Sequence, residues 1–322
     1  MQRSDSPFAR NRIIPFLLVV LFSLTAGRAG AEDDDGSPPS APPVATFDLK
    51  SMGGRPLIDV MLNGKGPYTF FLDTGAAHSV LDEGVARELE LPVTGEMQTG
   101  SPLGDGKIDA EVVSLSRVTV GELEFADQEM TLLDLAGMMP GGGGPLGVLS
   151  YRIFEGYRME LDYGAAKLDL YRGALPEPNG LDIFQFESAI PTIPVLLAGK
   201  RFELHLDTGS PSSFTLPLSA ADDLPLESEP VVMGRGRTVD AEFDILGATL
   251  DGNAEVGGMT IERPRVHFIE GAPVGNVGSQ VLSRLLITID PANNRIRLAE
   301  SSGENFEVEK GPRRVLIGGD ER

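Results

Sequence analysis

Two Asp-Thr-Gly tripeptides are the residues of this 322-residue chain best suited to chemistry. Asp73-Thr74-Gly75-Ala76 closes the run Thr69-Phe70-Phe71-Leu72, and Asp207-Thr208-Gly209-Ser210 closes Leu204-His205-Leu206. Each aspartate is expected to leave the end of an apolar strand on a tight turn, where Gly75 or Gly209 lets the backbone bend sharply and approach a neighbour. Two carboxyls set side by side in partial burial cannot both ionise, so they share a proton and titrate in two separated steps. The ionised member can take a proton from a bridging water while the protonated member donates to a carbonyl. Such a pair hydrolyses an amide without a metal, a cofactor or a covalent intermediate. The hydroxyls of Thr74 and Thr208 can each bond across to the opposite turn and lock the carboxylate spacing. The Ser210 hydroxyl, which Ala76 lacks, can hydrogen-bond Asp207, favour its charged form and make the two acids inequivalent.

Composition removes the main competitors. No cysteine and three histidines exclude a cysteine nucleophile, an iron–sulfur cluster and a structural zinc site. Neither metal nor cofactor is expected. A formal charge of −21 argues against nucleic acid, whose phosphates need Lys and Arg to displace their counterions. His78, His205 and His267 show no metal-ligand spacing, and His205, between Leu204 and Leu206, reads as a polar strand position. Ser79 and Ser213 lie in no nucleophile elbow. One Asp-Thr-Gly alone would be an ordinary surface turn.

The surroundings of the two tripeptides keep step, which makes them halves of a duplication. Gly64 and Gly199 precede the aspartates by nine and eight residues. Val120-Gly121 and Val256-Gly257 follow after 48 and 50 residues, measured from aspartate to glycine. Leu146-Gly147 and Val277-Gly278 come after 74 and 71, and the endings MELDYGAAKLDLY (159–171) and ITIDPANNRIRLA (287–299) close both halves. Within each half the pattern is mostly strand. Asn63-Gly64 reads as a hairpin turn, VVSLSRVTV (112–120) alternates with period two, and Asp82 is placed to cap a helix over Gly84–Leu91, as Ser219 is for the weaker SAADDL segment. The expectation is an all-β, mostly antiparallel fold with two barrel-like lobes and a cleft between them. The first lobe spans 46–172, a proline-broken linker 173–187, the second lobe 188–300 and a tail 301–322. One chain supplying both halves of a symmetric site is expected to act as a monomer.

The halves resemble the retropepsin-like aspartic peptidases, and the whole chain resembles a fused, two-lobed form, reminiscent of pepsin but shorter, over roughly Thr46 to Ala299. Apolar-apolar-Asp-Thr-Gly-Ala/Ser occurs twice. The family's later apolar-apolar-Gly, which forms a loop crossing beneath the catalytic turn, falls at Pro145-Leu146-Gly147 and Asn276-Val277-Gly278; Pro145 and Asn276 depart from it. The resemblance implies catalytic Asp73 and Asp207 and an extended peptide or protein substrate held by main-chain hydrogen bonds under hairpin flaps. Flap candidates are 99–107, with Gly104 and Gly106, and 234–238, with Gly234 and Gly236; Ala76 is a further candidate substrate contact. None of the five tyrosines lies in either segment, unlike in pepsins. An exported aspartic endopeptidase and a peptide-binding module that kept the fold without turnover both fit.

Residues 1–31 carry the three parts of a cleavable secretory signal: three early arginines, the apolar run Ile13–Leu24 and the small-x-small exit Ala29-Gly30-Ala31. The run is too short to span a bilayer comfortably. A periplasmic or secreted location without lasting membrane insertion is expected, followed by an acidic, proline-rich leader over 32–45 that is too short for a pepsin-like pro-segment.

Overall fold

The structure, a computed structural model, describes residues 42–100, 107–138, 144–237 and 242–301. The expected signal, most of the leader, Gly104, Gly106 and nearly all of the tail lie outside the described residues.

The first half contains β1 (Ala45–Asp48), β2 (Lys50–Met52), β3 (Arg55–Leu62), β4 (Lys65–Asp73), β5 (Val80–Asp82), β6 (Val93–Gly100), β7 (Lys107–Val120), β8 (Leu123–Leu133), β9 (Gly147–Ser150), β10 (Arg158–Asp162) and β11 (Lys167–Tyr171). The second contains β12 (Ile183–Gln185), β13 (Thr192–Leu197), β14 (Lys200–Leu206), β15 (Phe214–Pro217), β16 (Val231–Arg237), β17 (Glu242–Thr249), β18 (Asn253–Val256), β19 (Met259–Glu262), β20 (Arg265–Ile269), β21 (Asn276–Val277), β22 (Leu285–Asp290) and β23 (Arg295–Glu300). The protein is therefore mostly β, as its short apolar runs and frequent turns require.

Three sheets organise these strands. The first lobe is an eight-stranded sheet in the order β2-β3-β4-β9-β5-β8-β7-β6, curled so that β3 also pairs with β7. The second lobe is a nine-stranded sheet, β16-β17-β20-β15-β21-β14-β13-β18-β19. Read in reverse, it repeats the first: β13 stands for β3, β14 for β4, β21 for β9, β15 for β5 and β20 for β8. The rarer parallel pairings repeat too, β4 with β9 and β5 with β8, then β14 with β21 and β15 with β20. The turns that set the register are shared as well. Asn63-Gly64 and Ala198-Gly199 both take left-handed φ angles, 50° and 81° against 48° and 80°, the conformation that two-residue hairpins favour. The Gly121 and Gly257 turns match at 57° and 56°.

A third, six-stranded sheet, β1-β11-β10-β22-β23-β12, takes three strands from each half. Its middle pair, β10 and β22, is antiparallel, with Leu161 opposite Ile287 and Met159 opposite Ile289. All four side chains are fully buried, in a core cluster shared by both lobes.

Three sequence expectations differ in detail. The stretch 173–187 is not all linker, because Ile183–Gln185 forms β12 and pairs with β23; Ile183 and Phe186 are apolar and buried, which holds it against the sheet. Asp82 does cap a helix, accepting from Gly84 N at 2.8 Å, but α1 runs only Glu83–Glu88. Glu90 adopts φ 53°, and Pro92 follows, so the chain leaves the helix early. Ser219 caps nothing: the 3₁₀ turn Leu218–Asp223 starts after Pro217 with no side-chain cap, leaving Ser219 inside it.

The packing across β10 and β22 yields a stability prediction. Leu161→Ala should cost about 2–5 kcal/mol, the range for a fully buried leucine, read as a lower urea midpoint. An unchanged midpoint would show that the central sheet does not help hold the fold.

Candidate active site

Asp73 is the last residue of β4, and Asp207 follows β14 directly. Their strands are buried by Leu72 and Leu206, and each is backed by its parallel partner, β9 or β21. The two turns are tied to each other by four reciprocal hydrogen bonds. Thr74 N donates to Thr208 Oγ1 at 3.0 Å, and Thr208 N donates to Thr74 Oγ1 at 3.1 Å. Each hydroxyl then donates across the pseudo-two-fold, Thr74 to Leu206 O at 2.6 Å and Thr208 to Leu72 O at 2.7 Å. Both threonines are completely buried, so their polar atoms must be satisfied within the protein, and the N–H and hydroxyl of each are bonded to the other lobe.

The glycines explain how two carboxyls come so close. A Cβ on Gly75 would stand 2.7 Å from Asp207 Oδ1, and one on Gly209 would stand 2.3 Å from Asp73 Oδ2. Each turn thus leaves the space that the other lobe's aspartate fills, which sets the two carboxyls side by side. Gly75 N donates to Asp73 Oδ1 at 2.7 Å, and the Gly209 N–H also reaches Asp73. Asp207 receives a hydrogen bond from Asn276, whose Nδ2 donates to Oδ2 at 2.8 Å, and its backbone carbonyl accepts from Ser210 N at 3.3 Å.

Burial governs the ionisation of both acids. It raises Asp73 above the usual carboxylate range, against the pull of the Gly75 and Gly209 N–H groups and the Arg55 charge. Burial, followed by the negative charge of Asp73, pushes Asp207 up to about 7. The pair therefore passes through a single-proton form, with one base and one acid side by side. Some surface of both residues stays open, which water needs to reach them.

The other expected residues are placed as follows. The Ser210 hydroxyl does not reach Asp207; it bonds Ser212 Oγ at 2.8 Å, and Ser212 continues to Thr215 at 2.9 Å. The residue bonds Asp207 through its backbone instead. Ala76 gives its carbonyl to Ser150 Oγ at 2.7 Å. Gly147 opens β9 and Gly278 directly follows β21, both beneath the turns, but they are not equivalent. Gly147 stands opposite Phe70, three residues before Asp73, whereas Val277, next to Gly278, stands opposite Leu206. Ser150, opposite Asp73, occupies the place that Gly278 takes in the second lobe, and a short helical turn follows each. The spacings of 74 and 71 residues already carry this slip of three. Each glycine is needed by a different neighbour: a Cβ on Gly147 would run into the Phe70 ring at 2.1 Å, and one on Gly278 into Ser212 O at 2.4 Å. Gly234 lies at a bulge in β16, and Gly236 packs under the Phe243 ring; neither takes part in the dyad's hydrogen bonds.

Sequence reasoning missed three neighbours of the pair. Arg55, 18 residues before Asp73, lies over the Phe71 ring with its guanidinium carbon 4.1 Å from the centroid, and its charge acts on both aspartates. Asn276 was visible only as a departure from an apolar position. Tyr163 is fully buried, and burial together with the charges of Asp207 and Asp73 holds its phenol well above the usual range. Nothing in its sequence setting marks it. Among the described residues no cluster of His, Asp or Glu is arranged to hold a metal ion, and no helix is long and apolar enough to cross a membrane.

Residues 58–151, from β3 to the end of β9, match the family model described as aspartyl protease. This match supports an aspartic peptidase family for the chain and a protease-like, hydrolytic function. No curated protein matches the chain in a sequence search.

The geometry makes two predictions. Thr208→Val leaves Leu72 O and Thr74 N buried without partners, at about 1–3 kcal/mol for each orphaned group. The unfolding free energy should fall by several kcal/mol, and Thr74→Val on top of it should add less than its single effect. The second concerns pH. Asp207 keeps its proton in the folded state up to about 7, while in the unfolded chain it loses it near 3.9. Stability from this group is complete below the lower value and is lost as pH rises through the upper one, with a slope of up to about 1.4 kcal/mol per unit. The urea midpoint of the wild type, relative to Asp207→Asn, should therefore fall between pH 4 and 7; a rise would contradict the raised pKa.

Proposed function

We propose that the protein is an exported aspartic endopeptidase that cleaves extended peptide segments with one water molecule activated between Asp73 and Asp207. The observation that carries this reading is the pairing of two carboxyls at symmetry-related strand ends, each filling the space left by the other turn's glycine and fixed by reciprocal threonine bonds. The aspartyl protease match over 58–151 supports the same class of chemistry.

In the single-proton form, the ionised carboxylate accepts a proton from the bridging water as its oxygen bonds to the peptide carbonyl carbon. The other carboxyl gives its proton to the carbonyl oxygen, so a neutral tetrahedral diol forms and the pair keeps one proton overall. Collapse of the diol passes one hydroxyl proton to the dyad's carboxylate while the dyad's carboxyl proton goes to the amide nitrogen, so the pair again keeps one proton. The carbon–nitrogen bond then breaks to an amine and a carboxylic acid. No protein atom becomes covalently attached to substrate. The threonine bonds matter here because a general acid and a general base must both lie within hydrogen-bond reach of one water. The basic, apolar and small-residue order of the first 31 residues supports export.

The test is substitution at the pair. Asp73→Asn and Asp207→Asn should each abolish cleavage of a mixed peptide library, with losses of at least about a hundredfold, while both variants remain folded and still bind peptide. Cleavage by the wild type should be blocked by a pepstatin-type inhibitor. If the wild type binds peptides but cuts none at any pH from acid to neutral, the chain is a binding module. If one substitution leaves turnover intact, the two aspartates do not act as one site.

A further inference from the structure

Two residues near the dyad have no counterpart in the opposite lobe, and this breaks the symmetry that the duplication would otherwise impose. On β3 and β4, Leu57 pairs with Phe71 and Ile58 with Phe70. Continuing that register sets Arg55, the first residue of β3, across from Asp73. In the second lobe Thr192 pairs with His205, and the same continuation sets Ile190 across from Asp207. The cation therefore stands on one side only. The amide stands on the other. His205, two residues before Asp207, pairs with Asn276, whereas Phe71, two before Asp73, pairs with Val148.

Arg55 is held by its stacking on Phe71 and by a hydrogen bond from its Nε to Met52 O at 3.3 Å. Among the described residues it makes no contact ion pair, so its charge is not consumed by a neighbouring carboxylate and acts on the dyad through a poorly solvated space. Asn276 offers the opposite asymmetry. Its Nδ2–H occupies Asp207 Oδ2 as an acceptor, which leaves Oδ1, the oxygen lying towards Gly75 and the first turn, to carry a proton. Among the described residues its own Oδ1 is buried with no partner, a cost that an apolar side chain would not carry. The bond that this amide does make is to Asp207.

We propose that Arg55 and Asn276 are positioning residues that divide the work of the dyad, Arg55 keeping the resting negative charge on Asp73 and Asn276 fixing Asp207 so that Oδ1 is the oxygen free to carry the proton. This rests on the peptidase reading for its consequence in catalysis, but not for the assignment itself. Asp73 is then the base that takes the proton from water, and Asp207 is the donor to the carbonyl. The Asn276 bond by itself favours the charged form of Asp207, so it is the Arg55 charge that sets which acid ionises first. Of the other titratable groups among the described residues, Tyr163, which feels the charges of both aspartates, is kept neutral by burial, and His205, two residues before Asp207, is kept towards its neutral form by burial.

The experiment is a carboxyl ¹³C titration of the purified protein with aspartate labelling, resolved with Asp73→Asn and Asp207→Asn, alongside the pH profile of kcat/KM. In the wild type Asp73 should titrate first and Asp207 last. Arg55→Gln removes the charge while keeping a polar side chain of moderate length. It should raise the lower step by about one unit, a tenfold shift in that proton equilibrium, and move the acid limb of kcat/KM with it. Arg55→Lys should restore most of the shift. Asn276→Val should raise the upper step and the alkaline limb while leaving the lower step in place, and Asn276→Ser should fall between. Movement of the lower step in Asn276→Val would put the resting charge on Asp207 and overturn the assignment. So would an Arg55→Gln protein, folded by its thermal midpoint, whose two steps stay where they were. If the titrations behave as expected but no peptide is cut, the peptidase reading fails and the asymmetry stands.

Discussion

Everything in this structure is arranged around one unfavourable contact, that of two carboxyls set side by side and largely out of bulk water. Left to itself the pair would separate or hydrate, because like charges repel and burial penalises both. What prevents this is a lattice of neutral hydrogen bonds. The buried hydroxyls of Thr74 and Thr208 bind each other's backbone and the residue before each opposing aspartate. The carboxyls ride on that lattice, and the space between the turns exists because Gly75 and Gly209 have no side chains to fill it. Strands β4 and β14, their parallel partners and the central sheet then serve to keep two turns from different halves in one orientation.

The parts of this arrangement that were legible in the sequence are those that repeat. Asp73 and Asp207, the threonines and the glycines could be read because the same residues recur in the same surroundings, and duplication implies that two such turns face each other. The mostly-β, two-lobed fold followed from short alternating runs and paired turn glycines. The helix cap at Asp82 was readable too, though its end was not, because Glu90 takes a left-handed conformation that no local pattern announces. The residues that escaped are the unrepeated ones. Arg55 and Tyr163 reach the dyad only through sheet register and burial, which depend on strands far apart in sequence. The Ser210 hydroxyl misled for a related reason: it has a nearer partner in Ser212, and a short local chain of hydroxyls outcompetes the carboxylate. The slip between Gly147 and Gly278 shows the limit of landmarks. Two apolar-glycine pairs at similar distances serve different neighbours, a phenyl ring in one lobe and a serine carbonyl in the other.

The two lobes have also parted from each other where symmetry is not needed. Long β7 and β8 of the first lobe correspond to β17 with β18 and β19 with β20 of the second, each broken in two, and the pairing of β3 with β7 becomes that of β13 with β18. Such divergence is open to a fused chain, since each half can change without imposing the change on the other. A symmetric homodimer has no such freedom.

The central six-stranded sheet has a consequence beyond packing. Because β10 of one half is hydrogen-bonded directly to β22 of the other, the meeting of the two aspartates is an intramolecular event. Its effective concentration is set by the length of chain between the halves and not by how many molecules are present. Dilution therefore cannot separate the two carboxyls, because one chain supplies both.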